Sequence, residues 1–298
     1  MRERLPDFEY LVPTSLTEVA YYLNAYDNAY ILAGGTDLLV AIKLKGLRPK
    51  TIISMKKIKE LLRYIIEENN YLRIGALVTL NELKESPIIS TKFKVLHEAV
   101  AQMATYPIRN MATIGGNLCN ASPAADTAPP LMVLNAKLIA MSLSGEREIA
   151  IENFFIGPGK TALQKGEFLK EIKIPLLPAN SGAAFIKMKR RKSADISIAS
   201  SAVYLQLEGD LIIDARIALG SVAPTPIRAY SAEESLKEKK VSEELLSKAA
   251  QKASIDCSPI DDVRSSAEYR KEIVKVLTER ALQIAIKRAR GVVFEYED

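Results

Sequence analysis

Tryptophan is absent from this 298-residue chain, histidine occurs once and cysteine twice. An iron–sulfur cluster usually takes four thiolates and a structural zinc site four Cys or His ligands, so Cys119, Cys257 and His97 cannot build either within one copy of the chain. Two cysteines also make no disulfide framework, and Cys119 is expected as a small, buried, apolar side chain. Long apolar runs are missing as well. Nothing approaches the roughly 20 residues that span a bilayer, and Met1-Arg2-Glu3-Arg4-Leu5-Pro6 lacks a signal-peptide pattern, which predicts a cytoplasmic protein without membrane insertion. The net charge is +5, and five of the six residues 187–192 (KMKRRK) are basic. Elsewhere Lys alternates with Glu, as in KEKKVSEELLSK, and no aromatic motif for base stacking accompanies the basic run, which argues against nucleic acid as a partner.

What is present is ordinary for a globular chain: 48% hydrophobic and 26% charged residues, with 14 Gly and 14 Pro. The length suits about two domains, each burying its own core. Two glycine corners stand out. Tyr30-Ile31-Leu32 predicts a short buried strand, followed by Ala33-Gly34-Gly35-Thr36-Asp37 and a helix over LLVAI. Free N–H groups at that helix start favour an anion, and Asp37, the wrong sign for phosphate, is expected to cap the helix. The second corner lies in TIGGNLCNASPAADTAPPL (113–131). There Gly115 and Gly116 leave successive peptide groups without side chains, so their N–H groups are expected to approach a ligand closely. Asn117 and Asn120 add amide donors, and Asp126 is placed to accept from a hydroxyl. Neither corner is a P-loop or a GxGxxG fingerprint, yet one diphosphate is able to use both.

Around these corners Ser15 to Glu18 forms a capping-box pattern for a helix to about Tyr26, TIIS (51–54) a strand, YLRIGAL another, and Thr79 with Glu82 a cap before Pro87. Phe93 to Ala104 predicts an amphipathic helix with His97 on its solvent side, stopped by Tyr106-Pro107 so that Met103 and Thr105 lie beside the ligand. KLIAMSL and REIAI form a hairpin. EFLKEIKI (167–174) is a strand without clean alternation. Pro175 to Gly182 is the best linker, placing a domain boundary near residue 178. AAFIKMK, SIASSAVYLQLE and LIIDARIALGSV then predict an antiparallel meander. Helices follow from Ser231, from Ser242 and over Tyr269 to Arg290, the last burying Ile273, Val276, Leu277, Leu282 and Ile284 or Ala285.

In this order and spacing, AGGTDLL (33–39), IRNMATIGGNLCNASPAADTAP (108–129) and KRRKSADIS (189–197) resemble the FAD-binding medium subunit of the molybdenum hydroxylases. That family includes xanthine dehydrogenases and aerobic carbon monoxide dehydrogenase, and the likeness runs on to SAEYRKEIVKVLTERAL (266–282). It implies an α+β protein. Residues 1–177 would form a two-subdomain FAD-binding domain of the vanillyl-alcohol-oxidase (PCMH) type, and 178–298 a smaller domain with a three-stranded antiparallel sheet and a helical cluster.

The resemblance further implies noncovalent FAD, its pyrophosphate between Ala33, Gly34, Gly35, Thr36, Asp37 and Leu38 on one side and Thr113, Ile114, Gly115, Gly116 and Asn117 on the other. Asp126 falls where relatives have an acid reaching the ribose, and Leu169 where an aliphatic side chain packs on the cofactor. Met103 falls at a contact position that is aromatic in some relatives. Lys187 points towards the flavin side, although some relatives carry that lysine one residue earlier, where this chain has Ile186. Partners implied are a large molybdenum-cofactor subunit and a small two-cluster iron–sulfur subunit, as a dimer of heterotrimers, with both metal centres on those partners only. The chain would then pass electrons to NAD, oxygen or a quinone and carry no catalytic or metal-ligating residue itself. The extra four-iron cluster of some relatives is not expected here. A self-sufficient flavin oxidase of the vanillyl-alcohol type is the alternative, and a colourless basic binding module a third reading.

Overall fold

Ser15 caps the first helix as its position predicts: its hydroxyl accepts the N–H of Glu18, while the Glu18 carboxylate takes the N–H of Thr14 instead of closing the box on Ser15. The structure, a computed structural model, describes residues 5–192 and 194–292. Met1 to Arg4, residues 293–298 and Ser193, one position of the KRRKSADIS segment, lie outside the described residues. The chain opens as β1 (Glu9–Leu11), α1 (Leu16–Ala25), β2 (Ala29–Leu32), α2 (Leu38–Leu44) and β3 (Thr51–Ser54), with the three strands parallel and β3 central. All four residues of β3 are buried, whereas β2 is half-buried along its length, not buried as expected. Its neighbours Leu23 and Ala33 share with it the wall of a cavity.

A five-stranded antiparallel sheet follows, interrupted by helices. In chain order it comprises β4 (Ile65–Glu68), β5 (Tyr71–Gly75), then α3 (Leu80–Glu85), α4 (Pro87–Lys92), α5 (Lys94–Ala101), α6 (Tyr106–Arg109), α7 (Ile114–Cys119) and α8 (Ala128–Val133). Next come β6 (Lys137–Ser142), β7 (Gly145–Ala150), the small hairpin β8 (Phe155–Gly157) and β9 (Lys160–Thr161), and β10 (Phe168–Pro175). The sheet order is β4-β5-β10-β6-β7. The irregular alternation of EFLKEIKI has a cause: β10 carries a bulge between Leu169 and Glu171, so Glu171 turns inward and is held by Arg73 and Tyr64.

Thr79 and Glu82 form the reciprocal capping box at α3. The amphipathic stretch from Phe93 is shorter than expected, ending at Ala101. Ala104, with φ of 44°, turns the chain, and Tyr106-Pro107 starts the next helical turn instead of merely stopping the last, since proline is tolerated in a first turn. His97 is half-buried, not on the solvent side as expected, and burial holds its pKa below the ordinary 6.5 against the opposing pull of Glu98. As pH falls through that ordinary value the unfolded chain takes up its proton first, so His97 subtracts stability in acid. Because the chain has one histidine, a single imidazole resonance in an NMR titration reads this directly. We expect its midpoint below 6.5, and a midpoint at or above 6.5 contradicts the burial argument.

Beyond the linker, β11 (Ser181–Met188), β12 (Ala199–Glu208) and β13 (Leu211–Gly220) form the expected meander, extended by the two-residue strands β14 (Ile227–Arg228) and β15 (Lys239–Lys240). Helices α9 (Tyr230–Leu236), α10 (Glu243–Asp256) and α11 (Ala267–Ala289) complete it. Both faces of this sheet are covered, which is why its strands are apolar almost continuously. Ala183, Phe185, Ala202, Tyr204 and Ala218 join the core of the first half of the chain, while Ala184, Ile186, Val203, Leu205 and Ile217 pack with α11. On α11 the expected buried Val276 is 38% exposed and Val274 is buried in its place. Helix α9 starts at Tyr230, and Ser231 bonds Asp256 instead of capping it. Among the described residues no helix is long and apolar enough to cross a membrane.

Candidate functional site

The two glycine corners meet. A Cβ built on Gly34 would lie 1.8 Å from the backbone oxygen of Met111 and 3.1 Å from Cα of Ala112, so glycine alone lets the first corner pack on the segment that leads into the second. Between them opens a cavity of about 550 Å³, within the range of small-molecule and cofactor sites. Ala33 to Leu38 line it from one side, and Thr113, Gly115, Gly116 and Asn117 from the other, with Leu169 and Phe168 of β10 and Leu77 adding apolar wall. Gly35 holds φ at 73°, turning the chain sharply into α2.

The two corners present different chemistry. Among the described residues none accepts a hydrogen bond from the backbone N–H of Gly34, Gly35, Thr36 or Asp37, four successive donors ahead of α2. Unpaired donors of this kind at a helix start attract an anion. Asp37 stands at the cap position, but its carboxylate makes no capping bond, contrary to expectation.

At the second corner the expected open N–H groups are not open. Gly115 and Gly116 lie inside α7, without positive φ, and Ile114, Gly115, Gly116 and Asn117 donate to Val78 O at 3.0 Å, Ala76 O at 2.9 Å, Thr113 Oγ1 at 3.1 Å and Thr113 O at 2.9 Å. These glycines therefore serve close packing and an unobstructed wall. A Cβ on Gly115 would meet Ala76 O at 2.6 Å, whereas one on Gly116 meets only Thr113 Oγ1, at 2.9 Å. Ile114 itself is buried in the core and does not line the cavity. Cys119 does line the cavity and is half-buried, not buried as expected, and burial pushes its thiol up to about 12, so it stays neutral.

Met103, Asp126 and Lys187 do not line this cavity; Asp126 and Lys187 pair at the seam between the two halves of the chain. Lys187 Nζ donates to Asp126 Oδ2 at 2.8 Å and Ser197 Oγ to Asp126 Oδ1 at 2.5 Å, all three groups being buried. Thus Lys187 spends its charge on Asp126, and both carboxylate oxygens of Asp126 already accept from the chain itself. The basic run divides accordingly: Lys187 is buried, while Arg190, Arg191 and Lys192 are exposed on the loop after β11, where Asp195 accepts the N–H groups of Arg190 and Arg191. Met103 is buried and its carbonyl is gripped by Arg109, which donates to Met103 O at 2.6 Å, Ala104 O at 3.1 Å and Asn81 Oδ1 at 2.9 Å. Gln102, beside it, accepts from Lys189 at 3.2 Å, so this turn touches the second half of the chain. A hydrogen bond ties the cavity wall to the residue beside Asp126: Thr127 Oγ1 donates to Asn117 Oδ1 at 2.6 Å. Arg109, Thr127 and Ser197 were not among the expected site residues. Of these, only Thr127 carried a local signal, the two prolines that follow it.

The family described as FAD binding domain in molybdopterin dehydrogenase matches residues 6–177, and the CO dehydrogenase flavoprotein C-terminal domain matches residues 183–285. The chain is 36% identical over 278 residues to the glyceraldehyde dehydrogenase medium chain of Sulfolobus acidocaldarius, covering 93% of this chain and 98% of that one. It is 34% identical over 284 residues to the carbon monoxide dehydrogenase medium chain of Hydrogenophaga pseudoflava, covering 95% and 98%. Among solved structures, carbon monoxide dehydrogenase from Hydrogenophaga pseudoflava superposes with a TM-score of 0.92 at 34% identity, covering 96% of this chain and 99% of that one. Quinoline 2-oxidoreductase from Pseudomonas putida 86 does so with 0.89 at 30% identity, covering 98% and 100%. Two glycine corners around one cavity, a second sheet closed over the seam, and these matches along the chain make it a member of the FAD-binding medium subunits of the molybdenum hydroxylase family, the oxidoreductases that include xanthine and carbon monoxide dehydrogenases.

Proposed function

We propose that this chain is the electron outlet of a molybdenum-containing hydroxylase or dehydrogenase, taking electrons from iron–sulfur clusters of a small partner subunit and passing them to NAD, oxygen or a quinone. The observation that carries this reading is the shared cavity, one wall of which is built from four successive residues, 34–37, whose N–H groups have no acceptor among the described residues. That wall fits a diphosphate, and the glycine wall opposite leaves it room. Residues 33–38 would hold the diphosphate by backbone donors, Asn117 would add its amide, and Leu169 would pack on the cofactor. Bound FAD would supply the one- and two-electron chemistry. Asp126 and Lys187, paired across the seam, would bound the cofactor's other end together with Met103. Residues 1–177 then form the cofactor domain and 178–298 the domain that closes it. The large molybdenum-cofactor subunit and the small two-cluster subunit complete a dimer of heterotrimers in the cytoplasm; the names of relatives described as medium chains support a complex with other subunits.

Titration of the purified full-length chain with FAD, followed by desalting, tests the reading. We expect one flavin per chain, with absorbance near roughly 450 nm as for free flavins. A chain that stays colourless would remove the basis for any role in electron flow. Expression beside large and small metal-bearing chains is expected to yield one complex, and a chain that instead oxidises substrates alone would overturn the outlet role.

A further inference from the structure

Thr127 is fully buried and stands at the cap position of α8. A threonine hydroxyl there ordinarily accepts from the N–H of the second or third helical residue. In α8 those residues are Pro129 and Pro130, which have no N–H to give. Local capping is closed to this hydroxyl, and it makes no cap bond. It reaches instead to Asn117, ten residues back, donating to Oδ1 at 2.6 Å.

In that bond the oxygen end of the Asn117 amide faces Thr127. With Oδ1 taken by a hydroxyl donor, both hydrogens of Nδ2 point to the other side, and among the described residues nothing accepts from them. Asn117 lines the cavity. The residue that does the turning is itself fixed from behind, because its neighbour Asp126 is bound by Lys187 and Ser197 of the second half of the chain.

We infer that Thr127 is a positioning residue: acting through Asn117, it holds the amide so that its NH2 group donates to an acceptor oxygen of the bound dinucleotide. The inference rests on the FAD reading above, and its test separates the two. FAD affinity is measured by flavin fluorescence quenching on the full chain. Thr127→Val, which keeps the shape and removes the hydroxyl, is expected to bind FAD about tenfold more weakly. Thr127→Ser restores affinity to within about twofold of the parent, because the donor returns. In an Asn117→Ala background Thr127→Val causes no further loss, since the two residues act as one unit. Should Thr127→Val not fold, Thr127→Ala takes its place in the same comparison.

A parent chain that binds no FAD defeats the functional reading itself. A parent that binds while Thr127→Val binds equally well defeats the positioning role alone. An equal loss in the presence and absence of Asn117 also defeats it, by showing that the hydroxyl matters only to the fold.

Discussion

Gly34→Ala is expected to strip the protein of flavin while its C-terminal half stays folded. The added methyl carbon would arrive 1.8 Å from the Met111 carbonyl oxygen and 2.6 Å from its carbon, both main-chain atoms that cannot swing aside. Relief requires the first corner to withdraw from residues 111 and 112 by about 1 Å or more, given contact distances in close-packed interiors. Such overpacking costs about 1–3 kcal/mol, and here the strain falls on the joint between the two walls of the cavity. Because the four N–H donors at 34–37 move with that corner, the same displacement lowers FAD affinity by roughly a hundredfold, the equivalent of about 3 kcal/mol. Flavin content after desalting reads the first effect, and limited proteolysis reads the persistence of β11 to β13 with α11. Full retention of flavin by Gly34→Ala would mean that the corners do not need to touch to hold one ligand.

Much of the architecture was written locally. Ser15, Thr79 and Ser242 accept the capping bonds that their positions announce, and Gly209, with φ of 58°, turns β12 into β13 where the Glu-Gly-Asp triplet predicts it. The glycine corners were equally legible as corners, because side-chain-free peptides between apolar runs have few other uses. Their chemistry was not. Whether the N–H groups of Gly115 and Gly116 are free depends on Ala76 and Thr113: one peptide carbonyl 39 residues earlier and one hydroxyl three residues back consume both donors. The Thr113 bond is a local cap of the same kind as those of Ser15 and Thr79, but no pattern of residue types announces the Ala76 bond, since any residue supplies a backbone carbonyl.

The same holds for the seam. The family resemblance placed Lys187 towards the flavin side, and its side chain is fully buried and pairs with a carboxylate 61 residues away. Strand parity explains the difference between it and its neighbours. Lys187 shares its face of β11 with Ala183 and Phe185, which pack on the first half of the chain, and its register partner on β12 is Ser200. Reading that parity requires knowing that both faces of the sheet are covered, and the near-continuous apolar strands hide the alternation that would have shown it.

Lys187→Met should therefore destabilise the protein severely. A charge removed from a buried pair leaves its partner uncompensated, and such losses run to about 3–5 kcal/mol. Asp126 would keep only the Ser197 hydroxyl, at 2.5 Å, with no cation to offset the burial of its carboxylate. Measured on apoprotein, so that cofactor binding adds nothing to the folded state, the urea midpoint should drop by the corresponding amount. The companion variant separates charge from packing. Lys187→Met combined with Asp126→Leu removes both charges and leaves an apolar pair of similar bulk, which is often neutral or stabilising, so most of the lost stability should return. If Lys187→Met alone unfolds within about 1 kcal/mol of the parent, the pair carries no more than an exposed surface bridge would, and the seam is held by its apolar contacts. If instead the double variant is as unstable as the single one, the loss lies in the shape of the lysine stem and not in the orphaned carboxylate, and Lys187 belongs with Phe185 as a packing residue of the sheet.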